Sequence, residues 1–135
     1  MSNSINQELA FHSRALTLLG HREQLLASNI ANADTPNYKA RDIDFAKALR
    51  RAQGAAGDGV SLARTSSGHL GGGGNSALGV KPLYRTAVQP SIDGNTVDTN
   101  IEQAKFAENA LQYMATLQFM NGKIQSTLLA LRGGN

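Results

Sequence analysis

Apolar residues recur at helical spacing in two long segments at opposite ends of the chain. In the first segment, residues 5 to 33, they fall on steps of three and four, with two polar gaps: Ile5, Leu9, Leu16, Leu19, Leu26 and Ile30. The second segment, residues 99 to 131, repeats the spacing: Ala107, Ala110, Met114, Leu117, Ile124, Leu128 and Leu131. This periodicity predicts two amphipathic α-helices. At about 1.5 Å of rise per residue, each would be on the order of 45 Å long.

Residue types at the ends of these segments indicate where the helices stop. Pro36 disfavours helical geometry at Thr35, so the first helix should end before that turn. Thr99 and Glu102 fit a capping box at the start of the second helix. Two long helices of similar length at opposite chain ends predict a mainly α fold, with the helices packed as an antiparallel or coiled-coil pair.

The middle of the chain has a different composition. Ten of the fourteen glycines lie between Gly54 and Gly94. A short amphipathic helix is predicted from Phe45 to Arg51, and the scattered apolar residues beyond it predict a loop or one or two short strands. We therefore divide the chain into an N-terminal helix (1–33), a turn and Gly-rich middle segment (34–98) and a C-terminal helix (99–135). The two helices would form one core domain.

Both helical segments contain few charged residues. Only Glu8, Arg14, Arg22 and Glu23 are charged in the first, and only Glu102, Lys105, Glu108 and Lys123 in the second. Solvated helix faces normally carry Glu and Lys, whereas the cores of interfaces are depleted of charge. We therefore expect other subunits to cover these helices, although drift in the composition of a solvated hairpin is an alternative. The predicted contact positions are Leu9, Leu16, Leu19, Leu26, Ile30, Ala110, Met114, Leu117, Ile124 and Leu128.

Composition and motifs argue against most chemistries. The 135 residues include no Cys, and the three His show no metal-ligand spacing. No phosphate loop or nucleophile motif is present, so we expect no enzyme, metal, cofactor or small-molecule substrate. The net charge is +3, and basic residues between 39 and 51 leave weak nucleic-acid binding open, beside a cytosolic helical adaptor. We expect no membrane span and no cleaved secretory signal peptide.

A motif at the end of the first helix resembles a known signature. Residues 28 to 38 read SNIANADTPNY, an Asn-rich helix end followed by a Thr-Pro-x-Tyr turn. This string resembles the signature of the bacterial flagellar axial proteins, which form the rod, the hook and the hook-filament junction. The matching positions are Ser28, Asn29, Ile30, Ala31, Asn32, Thr35, Pro36 and Tyr38.

A second motif precedes and enters the C-terminal helix. It resembles the C-terminal signature of the small proximal rod proteins, a DGN-x-V-D turn leading into a helix with a Glu, a Phe-Ala-Glu-Asn run and a Tyr. The turn positions and the Glu are Asp93, Gly94, Asn95, Val97, Asp98 and Glu102, and the run and Tyr are Phe106 to Asn109 and Tyr113. Two small proximal rod proteins fit this pattern, and the Phe-Ala-Glu-Asn run and the short middle segment favour one of them.

The resemblance implies a structural role rather than chemistry. Such proteins polymerise into the proximal part of a hollow drive shaft, which transmits torque and encloses the export channel. They reach the periplasmic rod of the basal body through the flagellar type III apparatus, without a cleaved signal. Their partners are copies of themselves, other rod proteins, a rod-base adaptor protein, and the membrane ring and export gate.

The resemblance also gives an interpretation of two residues in the short middle helix. Phe45 and Leu49 lie four positions apart, on one face of that helix. Pairs of this kind resemble the gate-recognition element of early type III export substrates. Packing of the same pair against the core is the alternative.

Overall fold

Three helices and two short strands make up the fold of residues 2–54, 80–88 and 91–133, which the computed structural model describes. In chain order they are α1 (Ser2–Ala31), β1 (Arg41–Asp42), α2 (Phe45–Gly54), β2 (Leu83–Tyr84) and α3 (Thr99–Leu131). The predicted mainly helical fold is confirmed. Most of the Gly-rich stretch, residues 55–79, lies outside the described residues.

The long helices α1 and α3 pack against each other in antiparallel orientation. Asn29, near the end of α1, donates a hydrogen bond to Glu102, near the start of α3, at 2.9 Å. Glu8, in the first turns of α1, pairs with Lys123, late in α3, at 3.0 Å. Because contacts early in one helix are made late in the other, the antiparallel pair predicted from the sequence is confirmed.

The short helix α2 packs on α1 and closes the apolar core. Asp44 accepts a hydrogen bond from the Lys47 backbone N–H at 3.0 Å, which caps the start of α2. One face of α2 then meets α1 in a core cluster, against which Phe45 and Leu49 also pack. The buried members of this cluster are Leu18, Leu25, Ile43, Ala48 and Val80. The core therefore lies on the α2 side of α1.

The two strands bring the middle segment next to the helix pair. They are antiparallel and two residues long, with Arg41 opposite Tyr84 and Asp42 opposite Leu83. Arg85 extends this pairing, because its backbone N–H donates to the Ala40 carbonyl at 2.9 Å. The pairing therefore holds Arg85 close to Asp42.

The start of α3 differs from the sequence prediction. Asp98, not Thr99, is the N-cap, and its Oδ1 accepts from the backbone N–H groups of Asn100 and Ile101 at 3.0 and 3.3 Å. The predicted capping box of Thr99 with Glu102 is wrong. The Glu102 carboxylate is buried and bonded to other elements, so it does not turn back to cap the helix.

Candidate functional site

A chain of paired charges joins four elements at one end of the helix pair. Arg22 of α1 donates from Nε to Asp42 Oδ1 at 3.0 Å, and Arg85 donates from Nη2 to Asp42 Oδ2 at 2.6 Å. Arg85 also pairs through Nη1 with Glu102 Oε1. The other oxygen of Glu102 accepts from Asn29 Nδ2. These five residues are called the polar cluster below.

Burial decides the electrostatics of the polar cluster. The side chains of Asp42 and Glu102 are only 14% and 2% exposed. Burial raises the pKa of Asp42, but hydrogen bonds from Arg22 and Arg85 outweigh it, and the pKa of Asp42 lies below its usual range. Buried carboxylates are tolerated when they are paired and hydrogen-bonded, and here the pairing also fixes the four elements relative to each other.

Asn29 connects the two sequence motifs directly. It is fully buried, and its amide bonds both backbone groups of Arg41: Nδ2 donates to the carbonyl at 2.7 Å and Oδ1 accepts from the N–H at 3.0 Å. Only an amide side chain supplies a donor and an acceptor in this geometry. The Asn of the first motif and Glu102 of the second are therefore in contact, although 73 positions separate them in the chain.

Asn95 binds the turn that follows α1. Its Nδ2 donates to the carbonyls of Asn32, Ala33 and Thr35 at 3.0, 2.7 and 2.9 Å, and its Oδ1 accepts from the Val97 N–H at 2.8 Å. These carbonyls belong to the turn after α1, which ends at Ala31, and backbone carbonyls held away from water need hydrogen-bond partners. The second motif thus holds the turn of the first motif in place.

The turns of the two motifs also pair through their backbones. The Asn37 N–H donates to the Asp93 carbonyl at 2.9 Å, and the Thr96 N–H donates to the Tyr38 carbonyl at 3.0 Å. Gly94 has a φ of +72°, and a Cβ at this position would lie 2.7 Å from Asn37 Oδ1. The backbone conformation therefore favours glycine here, and a larger residue would also displace the Asn37 amide.

The remaining residues of the first motif form the outer part of this turn. Asn32 Nδ2 donates to the Ser28 carbonyl at 2.8 Å, and Thr35 Oγ1 donates to Asn32 Oδ1 at 3.1 Å. The hydroxyls of Ser28 and Tyr38 lie 3.2 Å apart. Ile30 is half-buried, whereas Ala31 and Pro36 are exposed.

The predicted assembly residues occupy three different environments. Leu19 and Leu26 are buried inside the chain itself, so they offer no surface to another subunit. Five residues are half-buried: Leu9, Leu16, Ile30, Ala110 and Leu117. Three are exposed by 56%, 39% and 47%: Met114, Ile124 and Leu128. For these eight accessible residues, a contact with other subunits stays a prediction.

Phe45 and Leu49, the residues interpreted as an export element, are half-buried. Both pack against the core cluster of α1 and α2. The structure therefore agrees with the alternative that the pair packs against the core. Recognition by an export gate stays a prediction.

Sequence reasoning did not find three charged residues of this region. Arg22, Asp42 and Arg85 form the polar cluster with partners 17 to 43 positions away. Asn109 was part of the second motif, but its contacts were not predicted: it is buried on α3 and donates to the Leu19 carbonyl at 2.9 Å and to the Glu23 carboxylate. One signal in the sequence could have pointed to the charged residues. The long helices have few charged residues, so each charged residue that remains, such as Arg22, is expected to have a partner of opposite charge.

The polar cluster connects elements of the fold. In the described ranges no group of three or more His, Cys, Asp or Glu residues could hold a metal ion. No helix in those ranges is long and apolar enough to cross a membrane. The charges of the polar cluster neutralise each other, so its evident task is to fix the start of α3 to the end of α1.

Comparison with known proteins gives a consistent result. A family model described as flagella basal body rod protein matches residues 9–39, which include the first motif. A Cereibacter sphaeroides flagellar basal body rod protein FlgB is 47% identical over 126 residues, covering 93% of this chain and 94% of that protein. The Salmonella typhimurium and Escherichia coli proteins of that name are 42% and 41% identical, and both chains are covered completely.

The helix pair, the joined motifs and these matches define the class of flagellar basal body rod proteins. Within that class the chain belongs to the FlgB family, since relatives of this name match almost its whole length. The second small proximal rod protein, the cytosolic adaptor and the nucleic-acid binder are not favoured.

Proposed function

We propose that this chain is a structural subunit of the proximal rod of the flagellar basal body, which polymerises into the hollow drive shaft around the export channel. The observation that carries the proposal is the exposure of apolar side chains along α3 from Leu111 onward. Leu111, Phe119 and Leu129 are 66%, 69% and 60% exposed. Apolar surface of this extent marks a site that another protein covers.

The proposed partners are those that the family resemblance implies, and the exposed apolar surface supports contact with other proteins. The subunit contacts copies of itself and other rod proteins, and at its base the rod adaptor protein, the membrane ring and the export gate. Its place is the periplasmic rod, reached through the flagellar type III apparatus without a cleaved signal. The charge-poor α1 and α3 support burial within such an assembly.

The test removes this chain from a flagellated cell and replaces it with variants. Leu128→Asp places a charge on a half-exposed apolar position of α3, and Gln7→Asp places the same charge on an exposed position of α1. We expect the deletion and Leu128→Asp to abolish rods and swimming, and Gln7→Asp to restore both. Normal basal bodies and swimming in the deletion strain would disprove the proposal.

Export through the gate needs a separate test, because Phe45 and Leu49 also stabilise the fold. The double variant Phe45→Ala, Leu49→Ala should accumulate in the cytoplasm if the gate reads the pair. Val80→Ala is the matched control, since Val80 packs in the same core cluster without belonging to the pair. If both variants reach the periplasm equally, the pair acts only in packing.

A further inference from the structure

The short helix α2 has a second face that the fold does not use. Its inner face carries the buried Ala48 and Ala52 and packs on α1. At about 100° per residue, the opposite face carries three basic residues, Lys47, Arg50 and Arg51. All three are exposed. These three residues are called the α2 basic face below.

The charges of the α2 basic face have no paired carboxylate within the described part of the chain. The ion pairs of that part include none of its three residues. Arg50 Nε makes a 3.4 Å bond to the Ala46 carbonyl, which is a neutral group of the same helix. Asp44, the nearest carboxylate in sequence, caps α2 by accepting from the Lys47 backbone N–H. The face therefore presents its positive charges to the surroundings.

This arrangement weakens the helix, so helix stability does not explain it. Lys47 lies three positions before Arg50 and four before Arg51, and like charges at these spacings repel on a helix surface. Lys47 also lies in the first turn, where the helix dipole disfavours a positive charge and where α2 has no acidic residue. Only Arg51, in the last turn, is placed favourably. A partner of opposite charge would remove this repulsion.

The size and surroundings of the face favour a protein partner. Residues 47 to 51 span about 6 Å along α2, which matches one turn of a partner helix with carboxylates three or four positions apart. A nucleic-acid site that neutralises about 6–10 phosphates needs a longer basic stripe than these three side chains. Insertion into a lipid surface needs a free apolar face, and the apolar face of α2 is packed in the core.

We propose that the α2 basic face docks an acidic segment of a neighbouring rod subunit, whose Asp or Glu carboxylates pair with Lys47, Arg50 and Arg51. This inference rests on the proposed function, because the partner is a protein of the same assembly. A guanidinium group binds a carboxylate through two parallel N–H donors, so the arginines set orientation as well as charge. Exposed ion pairs add little affinity and act mainly on the approach and alignment of partners. The face therefore selects and orients a neighbour that other contacts hold.

Zero-length cross-linking tests for the partner carboxylate directly. In isolated basal bodies, a water-soluble carbodiimide activates carboxylates, and a lysine amine in contact with one displaces the activating group and forms an amide. We expect mass spectrometry of the digested basal bodies to find Lys47 joined to an Asp or Glu of a neighbouring subunit. Lys47→Arg keeps the charge but lacks the reactive amine, so this cross-link should disappear. Arg50→Lys and Arg51→Lys place the same amine at the other two positions and should give cross-links of their own.

Charge reversal separates a docking face from a face that is only solvated. Lys47→Glu places an acidic residue in the first turn of α2 and four positions before Arg51, so the purified subunit should melt at the same temperature or higher. Incorporation into rods per exported subunit should nevertheless fall about tenfold, because attraction to the partner carboxylates becomes repulsion. Lys81→Glu reverses the charge of an exposed lysine outside α2 and should incorporate normally.

Three outcomes would overturn this inference without touching the proposed function. Normal incorporation of Lys47→Glu would show that the face is only solvated. Cross-links from the three positions that reach only Asp44 of the same helix would show that no neighbouring carboxylate contacts the face. Binding of the purified chain to a short DNA duplex or to phosphatidylglycerol vesicles, abolished by Lys47→Glu, would assign the face to phosphate groups. Absence of the natural chain from isolated basal bodies would instead overturn the proposed function.

Discussion

The helices α1 and α3 have similar lengths but opposite patterns of burial. The buried residues of α1 include five apolar side chains: Ala15, Leu18, Leu19, Leu25 and Leu26. The residues of α3 that are fully buried are polar, namely Glu102 and Asn109. Six large apolar side chains of α3, from its thirteenth residue onward, are at least 47% exposed: Leu111, Met114, Phe119, Leu128, Leu129 and Leu131.

This difference separates the residues that stabilise the folded subunit from the residues that we propose contact other subunits. The leucines of α1 are covered by the chain's own elements, so they stabilise the subunit before any partner arrives. The long helix α3 is positioned by specific polar contacts at its start and keeps apolar surface free. Polar contacts specify a register, and we propose that the exposed apolar surface is covered in the assembled state.

The largest expected difference between the two helices is in the free energy of unfolding when one leucine of each is replaced by alanine. Leu18→Ala removes a fully buried side chain of the core cluster and should lower the free energy of unfolding by about 2–5 kcal/mol. Leu129→Ala, on the exposed side of α3, should change it by less than about 0.5 kcal/mol. Urea unfolding followed by circular dichroism measures both values. Equal losses would show that α3 is part of the core in the free subunit.

The sequence predicted the helices well because their periodicity is local. The predicted span of 99 to 131 coincides with α3, and the two motif turns were located by their residue types. The face of α3 that meets α1 could not be predicted, because apolar residues surround this helix on several sides. Spacing selected Met114, Ile124 and Leu128 as contacts with other subunits, and the structure leaves them exposed, so this contact stays a prediction.

The polar cluster was beyond prediction for a different reason. Arg85 lies in a segment without periodicity, and its partners Asp42 and Glu102 come from two other elements. Nothing local distinguishes a buried Glu102 from a capping residue, since both interpretations fit a Glu in the first turn of a helix. Only the pairing of β1 with β2 brings the arginine within reach.

Removal of the central arginine should weaken the polar attachment of α3. Arg85→Ala leaves Glu102, with a side chain only 2% exposed, without its ionic partner. Breaking a buried pair costs about 3–5 kcal/mol, and the partial exposure of Arg85 reduces the expected loss to about 2–3 kcal/mol. Arg50→Ala on the exposed face of α2 is the control. A loss no larger than that of the control would mean that apolar contacts alone hold α3 in place.

Acid should loosen the same attachment in a predictable direction. The pKa of Asp42 is below the usual 3.8 in the folded chain, where burial is outweighed by bonds from Arg22 and Arg85. A depressed folded pKa means that the contribution is complete above pH 3.8 and is lost as the pH falls through the folded value. Unfolding measured between neutral pH and strong acid should show this decline. In Asp42→Asn, the free energy of unfolding should depend less on pH in the acid range. If its dependence on pH is unchanged, other carboxyl groups cause the decline.

The smallest predicted effect concerns how α3 begins. Asp98 accepts hydrogen bonds from Asn100 and Ile101, and Asp98→Ala would leave these two N–H groups to water. Loss of an N-cap typically costs about 1 kcal/mol, so urea unfolding should shift by that amount while the core cluster stays intact. Asp98→Ser is the matched variant, since a serine hydroxyl also caps and should recover most of the loss. If Thr99→Ala destabilises the chain more than Asp98→Ala does, the N-cap is Thr99 and not Asp98. In that case Glu102 would have to share its carboxylate between the helix start and the polar cluster.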